Sequence, residues 1–180
     1  MVITFFNVLL QFFRSTYKLW LLVFGVGLFK ILVEKFFICL ENWLENWRDK
    51  KWFREHKKLI EWKKIDDKKF EKITAIIFEG LGYKTKVIGG PGDMGIDIIA
   101  YKDGKRFYIQ CKQKEQVPPR EIREFAGAIR DLNKNKGEKG FFVTTGDFTE
   151  EGRLFAKDNP IEIELINGLE LEKLANKVDN

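Results

Sequence analysis

The chain has 180 residues, with 32 Lys and Arg against 27 Asp and Glu, giving a net charge of +5 and room for one compact domain plus extra segments. Two cysteines without CxxC spacing exclude a disulfide framework and a thiolate zinc site, and they suit a reducing compartment. The one histidine, His56, lies among charges and is expected to be solvated, which removes imidazole as a general base.

Residues 1–40 are dominated by Phe, Leu, Val, Ile and Trp, with an apolar run over 19–29 that continues past Lys30 into 31–33. A helix crossing a bilayer needs about 20 predominantly apolar residues, and residues 17–40 are read as such a membrane anchor. Lys30 would pair with Glu34 one turn on or run its stem toward the interface, and Trp20, Trp43 and Trp47 would sit near the two interfaces. No small-x-small pattern follows the run, so a cleavable signal is not expected. A helix lying in the membrane plane, or a hydrophobic oligomerisation arm, is the competing reading. Residues 41–65 form a charged connector with interleaved aromatics, Trp43, Trp47, Trp52, Phe53 and Trp62, read as an amphipathic helix. Its basic residues place that side of a single-pass cell-membrane protein, and the domain that follows, in the cytoplasm.

Residues 66–180 alternate helical and strand patterns. A helix is expected over 66–80, strands over 84–88, 96–101 and 106–112, and a helix over 119–135 whose first turn suits Pro119. Then follow a strand over 140–145, a helix over 149–158 capped by Thr149, a strand over 161–166 and a helix over 169–177. That order is an α/β sandwich with a mixed sheet.

The most informative stretch is residues 92–112. Lys102-Asp103-Gly104-Lys105 between two apolar runs signals a two-residue type I′ hairpin. The register that follows sets Ile98 opposite Ile109 and Asp97 opposite Gln110. By alternation, Asp97, Gln110 and Lys112 share one face, while Ile96, Ile98, Ala100, Phe107, Ile109 and Cys111 share the other. An acid, an amide and an amine brought together in this way suit metal-assisted attack on a phosphodiester. Asp97, the Gln110 side-chain oxygen and the Cys111 backbone carbonyl would hold Mg²⁺, and Lys112 would orient a water or balance charge on the phosphate. Each piece has a plainer reading. Gln110-x-Lys112 alone is ordinary strand alternation, Gly89-Gly90-Pro91-Gly92 alone is a flexible loop, and a Glu early in a helix, such as Glu71, commonly serves solubility and the helix dipole. Asp97 resists that reading, because it interrupts an apolar strand.

Asp97 followed by Gln110-x-Lys112, preceded by Phe70-Glu71, Phe78 and Leu81-Gly82-Tyr83, resembles the catalytic domain of Mrr-type restriction endonucleases. This is a branch of the PD-(D/E)xK nucleases in which the second acid is often Gln. The resemblance continues through Gly140-Phe141-Phe142-Val143-Thr144-Thr145-Gly146 with Phe148-Thr149 and Ala156, and through Leu165-Ile166-Asn167-Gly168 with Leu171 and Leu174, covering residues 66–176. It implies a restriction-endonuclease-like three-layer sandwich and an active site of Asp97, Gln110 and Lys112, with Glu71 reaching in from the helix. It also implies Mg²⁺, for which Mn²⁺ can substitute, and DNA as substrate. Gln110 leaves fewer negative charges for the metal than an acid would, and Pro118-Pro119 stiffens the loop after the third strand.

Charge is uneven, with +3 on residues 1–40, +3 on 41–73 (11 basic against 8 acidic) and −1 on 74–180 (17 against 18). DNA would therefore be attracted by a local cluster drawn from Lys84, Lys86, Lys105, Arg106, Lys112, Lys114, Arg120 and Arg123. The favoured reading is a membrane-anchored, Mg²⁺-dependent DNA endonuclease of restriction or defence type. The alternatives are a catalytically weak DNA- or partner-binding module of the same fold tethered at the membrane, and a scaffold whose function lies in the N-terminal helix. Cutting both strands implies a homodimer, and a separate recognition subunit is an expected partner.

Overall fold

The computed structural model describes residues 2–90, 95–132 and 139–178, and the side chains of all of these except 2–10, 13, 19 and 20. Gly92, Asp93 and Met94, which open the expected second strand, and residues 133–135, the expected end of a helix, lie outside the described residues.

The chain divides into two compact units, residues 1–48 and 49–180. Helix α1 (Val2–Glu55) is continuous where an anchor and a separate connector were expected. No proline interrupts it, and Leu, Phe, Glu and Lys are all compatible with helix. In the first unit, Leu21, Phe24, Phe29 and Phe36 point outward, each more than 60% exposed. Lys30 and Glu34 lie 3.9 Å apart, the pair expected one turn apart. The expected membrane span over 17–40 is not borne out: among the described residues, no helix is long and apolar enough to cross a membrane. Lys18, Lys30, Glu34 and Lys35 break up the apolar material.

The second unit holds the end of α1 followed by α2 (Leu59–Trp62), α3 (Asp67–Gly80), β1 (Lys84–Val87), β2 (Ile98–Lys102), β3 (Lys105–Lys112), β4 (Gln116–Val117), α4 (Pro119–Leu132), β5 (Lys139–Thr144), β6 (Asp147–Phe148), α5 (Glu150–Asp158), β7 (Ile163–Ile166) and α6 (Gly168–Lys177). Side-chain caps set the helix starts. Asp66 accepts from Lys69 N at 2.9 Å, Thr149 from Gly152 N at 3.1 Å, and Asn167 exchanges a capping box with Glu170. The main sheet runs β1-β2-β3-β5-β7, antiparallel across its first three strands, with β5 and β7 parallel to β3. β4 and β6 form a two-residue parallel pair that short-range patterning did not signal.

Two apolar layers enclose the sheet. On one side α3 and α6 bring Phe70, Ile73, Ile77, Phe78, Leu171 and Ala175 against Ile98, Phe107, Ile109, Phe141 and Val143. On the other, α4 and α5 bring Ile122, Phe125, Ile129 and Ala156 against Tyr108, Phe142 and Ile163. The result is a helix–sheet–helix sandwich.

Residues 49–62 also belong to this core. Phe53 and Trp62 are fully buried in the α3 layer, and Asp49 is buried between Lys69 and Lys72. Gln113, just past β3, locks the segment in place by donating to Trp62 O at 2.7 Å and Ile65 O at 2.9 Å. His56, expected to be solvated, is half-buried. Its ring stacks on Trp52 at 4.4 Å, its Nδ1 meets Trp52 O at 2.9 Å, and its carbonyl accepts from Trp62 Nε1 at 2.8 Å.

Candidate active site

The hairpin forms as its sequence requires. Lys102 pairs with Lys105, and Asp103 and Gly104 both take positive φ, 51° and 74°, the signature of a type I′ turn. The ladder then runs in the expected register to Ile98 opposite Ile109, where it changes. Asp97 N also donates to Ile109 O, at 3.0 Å, so Asp97 and Ile98 together stand opposite one residue, as in a β-bulge.

The bulge has two consequences that strict alternation did not foresee. Ile96 does not share a face with Ile98; it is buried in the opposite layer with Tyr108 and Phe142. Asp97 is not simply placed across from Gln110. Its Oδ2 accepts from Cys111 N at 2.6 Å, a charge-assisted bond, while its backbone oxygen accepts from Ile88 N at 2.8 Å and Gly89 N at 3.1 Å. The acid is thereby fixed between the end of β1 and the end of β3.

The Cys111 thiol lies at the centre of the candidate site, buried in the α3 layer. Burial raises its pKa well above the usual range, and the neighbouring negative charges of Asp97 and Glu71 raise it further. Thr74 and Lys112 pull the other way, Thr74 by more than Glu71 adds. The thiol stays protonated, so it is packing rather than a nucleophile. Of the expected site residues, Asp97 bears most strongly on the charge of the thiol, with Glu71 and Lys112 contributing less. Glu71 reaches in from α3 and rests against Gly89, where a β-carbon would come within 2.5 Å of its Oε2. Thr74, one helical turn after Glu71, was not singled out from sequence, and Gly89 was read only as part of a flexible loop. The i, i+3 spacing on α3 was available as a signal for Thr74, whereas the contact at Gly89 exists only in space.

Gln110, by alternation, shares its side of β3 with Tyr108 and Lys112. Its Nε2 lies against Gly95, where a β-carbon would sit 2.9 Å away, and Gly95 takes φ +77°. Its Oε1 is buried with no hydrogen-bond partner among the described residues. An orphaned buried oxygen is costly, and a cation is one way to satisfy it. Asp97, Glu71 and Gln110 offer oxygen donors of the hard type that Mg²⁺ takes, but Gln110 lies on the Tyr108 side of β3 whereas Glu71 comes from α3 on the other side of the sheet. Among the described residues no group of three or more His, Cys, Asp or Glu converges on a metal position.

A mixed five-stranded sheet between two helical layers, with an acid, an amide and a lysine at the open end of its antiparallel hairpin, defines a restriction-endonuclease-like fold. Residues 62–175 match the family of the Mrr catalytic domain, described as a restriction endonuclease, and the chain belongs to that family. The type IV methyl-directed restriction enzyme EcoKMrr of Escherichia coli strain K12 is 31% identical over 102 residues, a match covering 52% of this chain and 33% of that enzyme. Among solved structures, the DNA modification-dependent restriction endonuclease AspBHI is similar with a TM-score of 0.48 at 17% identity, covering 61% of this chain and 33% of that one. The MspJI restriction endonuclease in complex with a 27-mer oligonucleotide is similar with a TM-score of 0.44 at 21% identity, covering 59% of this chain and 26% of that one.

Proposed function

We propose that the chain is a Mg²⁺-dependent DNA endonuclease whose site is built from Asp97, Gln110, Lys112 and Glu71. The observation that carries this reading is the clamp on the two acids: the Asp97 carboxylate accepts from Cys111 N at 2.6 Å, its carbonyl accepts from Gly89 N at 3.1 Å, and the Glu71 carboxylate rests against Gly89. Asp97 and the Gln110 oxygen, with Glu71 and the Cys111 carbonyl nearby, would hold Mg²⁺; Mn²⁺ would substitute. The bound ion supplies an activated water and neutralises charge on the phosphate.

The remaining work falls to the chain itself. Lys112, half-buried at the end of β3, stabilises the charge that grows on the phosphate oxygens and orients the attacking water. Gly89 and the Cys111 amide hold the two carboxylates in place, and the protonated thiol keeps a third negative charge out of the site. Plasmid nicking in Mg²⁺ that vanishes in EDTA, and falls by at least about a hundredfold in Lys112→Ala or Asp97→Asn, is the expected result. Nicking that survives either substitution sinks the assignment. DNA binding without cleavage by the unaltered protein would point to the binding-module alternative.

The outward apolar side chains of α1 support attachment of the protein to the cell membrane, with the nuclease unit in the cytoplasm where DNA lies. Double-strand cleavage would use two copies of the chain, and a separate recognition subunit would select the target.

A further inference from the structure

One face of the sheet is only half covered. Strand register places Lys84, Tyr101 and Arg106 in one cross-strand row and Lys86, Ile99 and Tyr108 in the next. Side chains two apart share a face, so Gln110 and Lys112 continue the same side of β3. This is the side on which α4 and α5 lie, but those helices pack over Tyr108, Phe142 and Ile163, toward β5 and β7. Toward β1 the face is open, with Lys84, Lys86, Tyr101 and Arg106 all exposed.

The open part is uniformly positive. No acidic residue occurs in the two rows, and among the described residues neither Lys84 nor Lys86 has an acidic partner. Other basic residues suggested by the sequence are already engaged. Lys114 pairs with Glu121, Arg120 with Glu124 at 2.9 Å, and Arg123 stacks on Phe155 at 5.1 Å. Arg106 is held over the Tyr101 ring at 5.8 Å, and its Nη1 lies 3.4 Å from Tyr108 Oη, so its charge is oriented on this face.

We propose that Lys84, Lys86, Tyr101 and Arg106 form a track for the phosphodiester backbone of DNA, leading along the sheet to Gln110 and Lys112. The choice of DNA as the polyanion rests on the nuclease reading above. Gln110 is four residues along β3 from Arg106, about 13 Å at 3.3 Å per residue, the axial rise of about four base pairs of duplex. Lysines on such a track contact phosphates, so they set affinity and its salt dependence without reading sequence.

The test measures polarisation of a fluorescein-labelled duplex titrated with the full chain in EDTA over a series of salt concentrations. In Lys84→Gln/Lys86→Gln, the slope of log affinity against log salt becomes shallower by about 0.9 for each lysine, equally on unrelated duplexes. Arg120→Gln, whose charge is spent on Glu124, leaves the slope unchanged. An unchanged slope in the double variant overturns the track, as does an unaltered protein that binds no duplex. Plasmid nicking in Mg²⁺ separates the two readings. Nicking with an unchanged slope sinks the track alone, and a reduced slope without nicking sinks the nuclease chemistry and leaves the track standing.

Discussion

Gly89 touches both candidate acids: its amide donates to the Asp97 carbonyl at 3.1 Å and its α-carbon packs on the Glu71 carboxylate. A methyl group there would not break the fold, because what it meets is the far end of a flexible side chain. Gly89→Ala is therefore expected to leave the melting temperature nearly unchanged while slowing plasmid nicking by roughly ten- to a hundredfold, through displacement of Glu71. Combined with Glu71→Gln, the two losses should not add, since both remove the same placement. Full additivity would show that Gly89 acts elsewhere. At this scale, Asp97 stood out as a polar residue set into an apolar strand, whereas Gln110 and Lys112 read alone as ordinary strand alternation and gained meaning only from the family resemblance. Gly89 read as ordinary loop glycine, because its partner is 18 positions away and on a helix.

Among the elements, the hairpin was the most legible, since Asp103-Gly104 demands left-handed backbone at two successive residues and few other turns do. Its far end was not. A bulge inserts one residue without any mark in the local pattern, so alternation carried past Ile98 assigned Ile96 to the wrong layer. The start of the folded unit was also hidden. Residues 49–62 read as part of an amphipathic connector, outside the folded domain, because the burial of the two aromatics that matter, Phe53 and Trp62, depends on α3 and on Gln113. Trp62→Ala is accordingly expected to destabilise the second unit by about 3–5 kcal/mol in urea unfolding. A chain beginning at Asp66 should fail to give a cooperative transition, while one beginning at Asp49 gives it. Cooperative unfolding of the shorter chain would show that Phe53 and Trp62 are dispensable.

For the whole molecule, the uneven charge is functional information. Residues 74–180 sum to −1, so their attraction to a polyanion depends on where their lysines lie rather than on how many there are. The N-terminal charge is combined with outward-facing Leu, Phe and Ile on α1, the combination that associates with anionic lipid. The full chain is expected to float with phosphatidylglycerol-containing vesicles in a density gradient, and the chain beginning at Asp49 to remain at the bottom. A full chain left at the bottom sinks the membrane attachment.

β1 is the last strand of the main sheet among the described residues, and its outer rim of amide and carbonyl groups faces no other described strand. Such a rim is a template for an incoming chain, and lysine is among the side chains that discourage it. Lys84 and Lys86 therefore do a second job, keeping copies of the protein from zipping edge to edge into aggregates. That limits how these positions can vary: glutamine preserves a soluble rim, whereas valine or isoleucine would remove the charge and add β-forming surface in the same step. Loss of nucleic-acid affinity in such a variant would be inseparable from clumping.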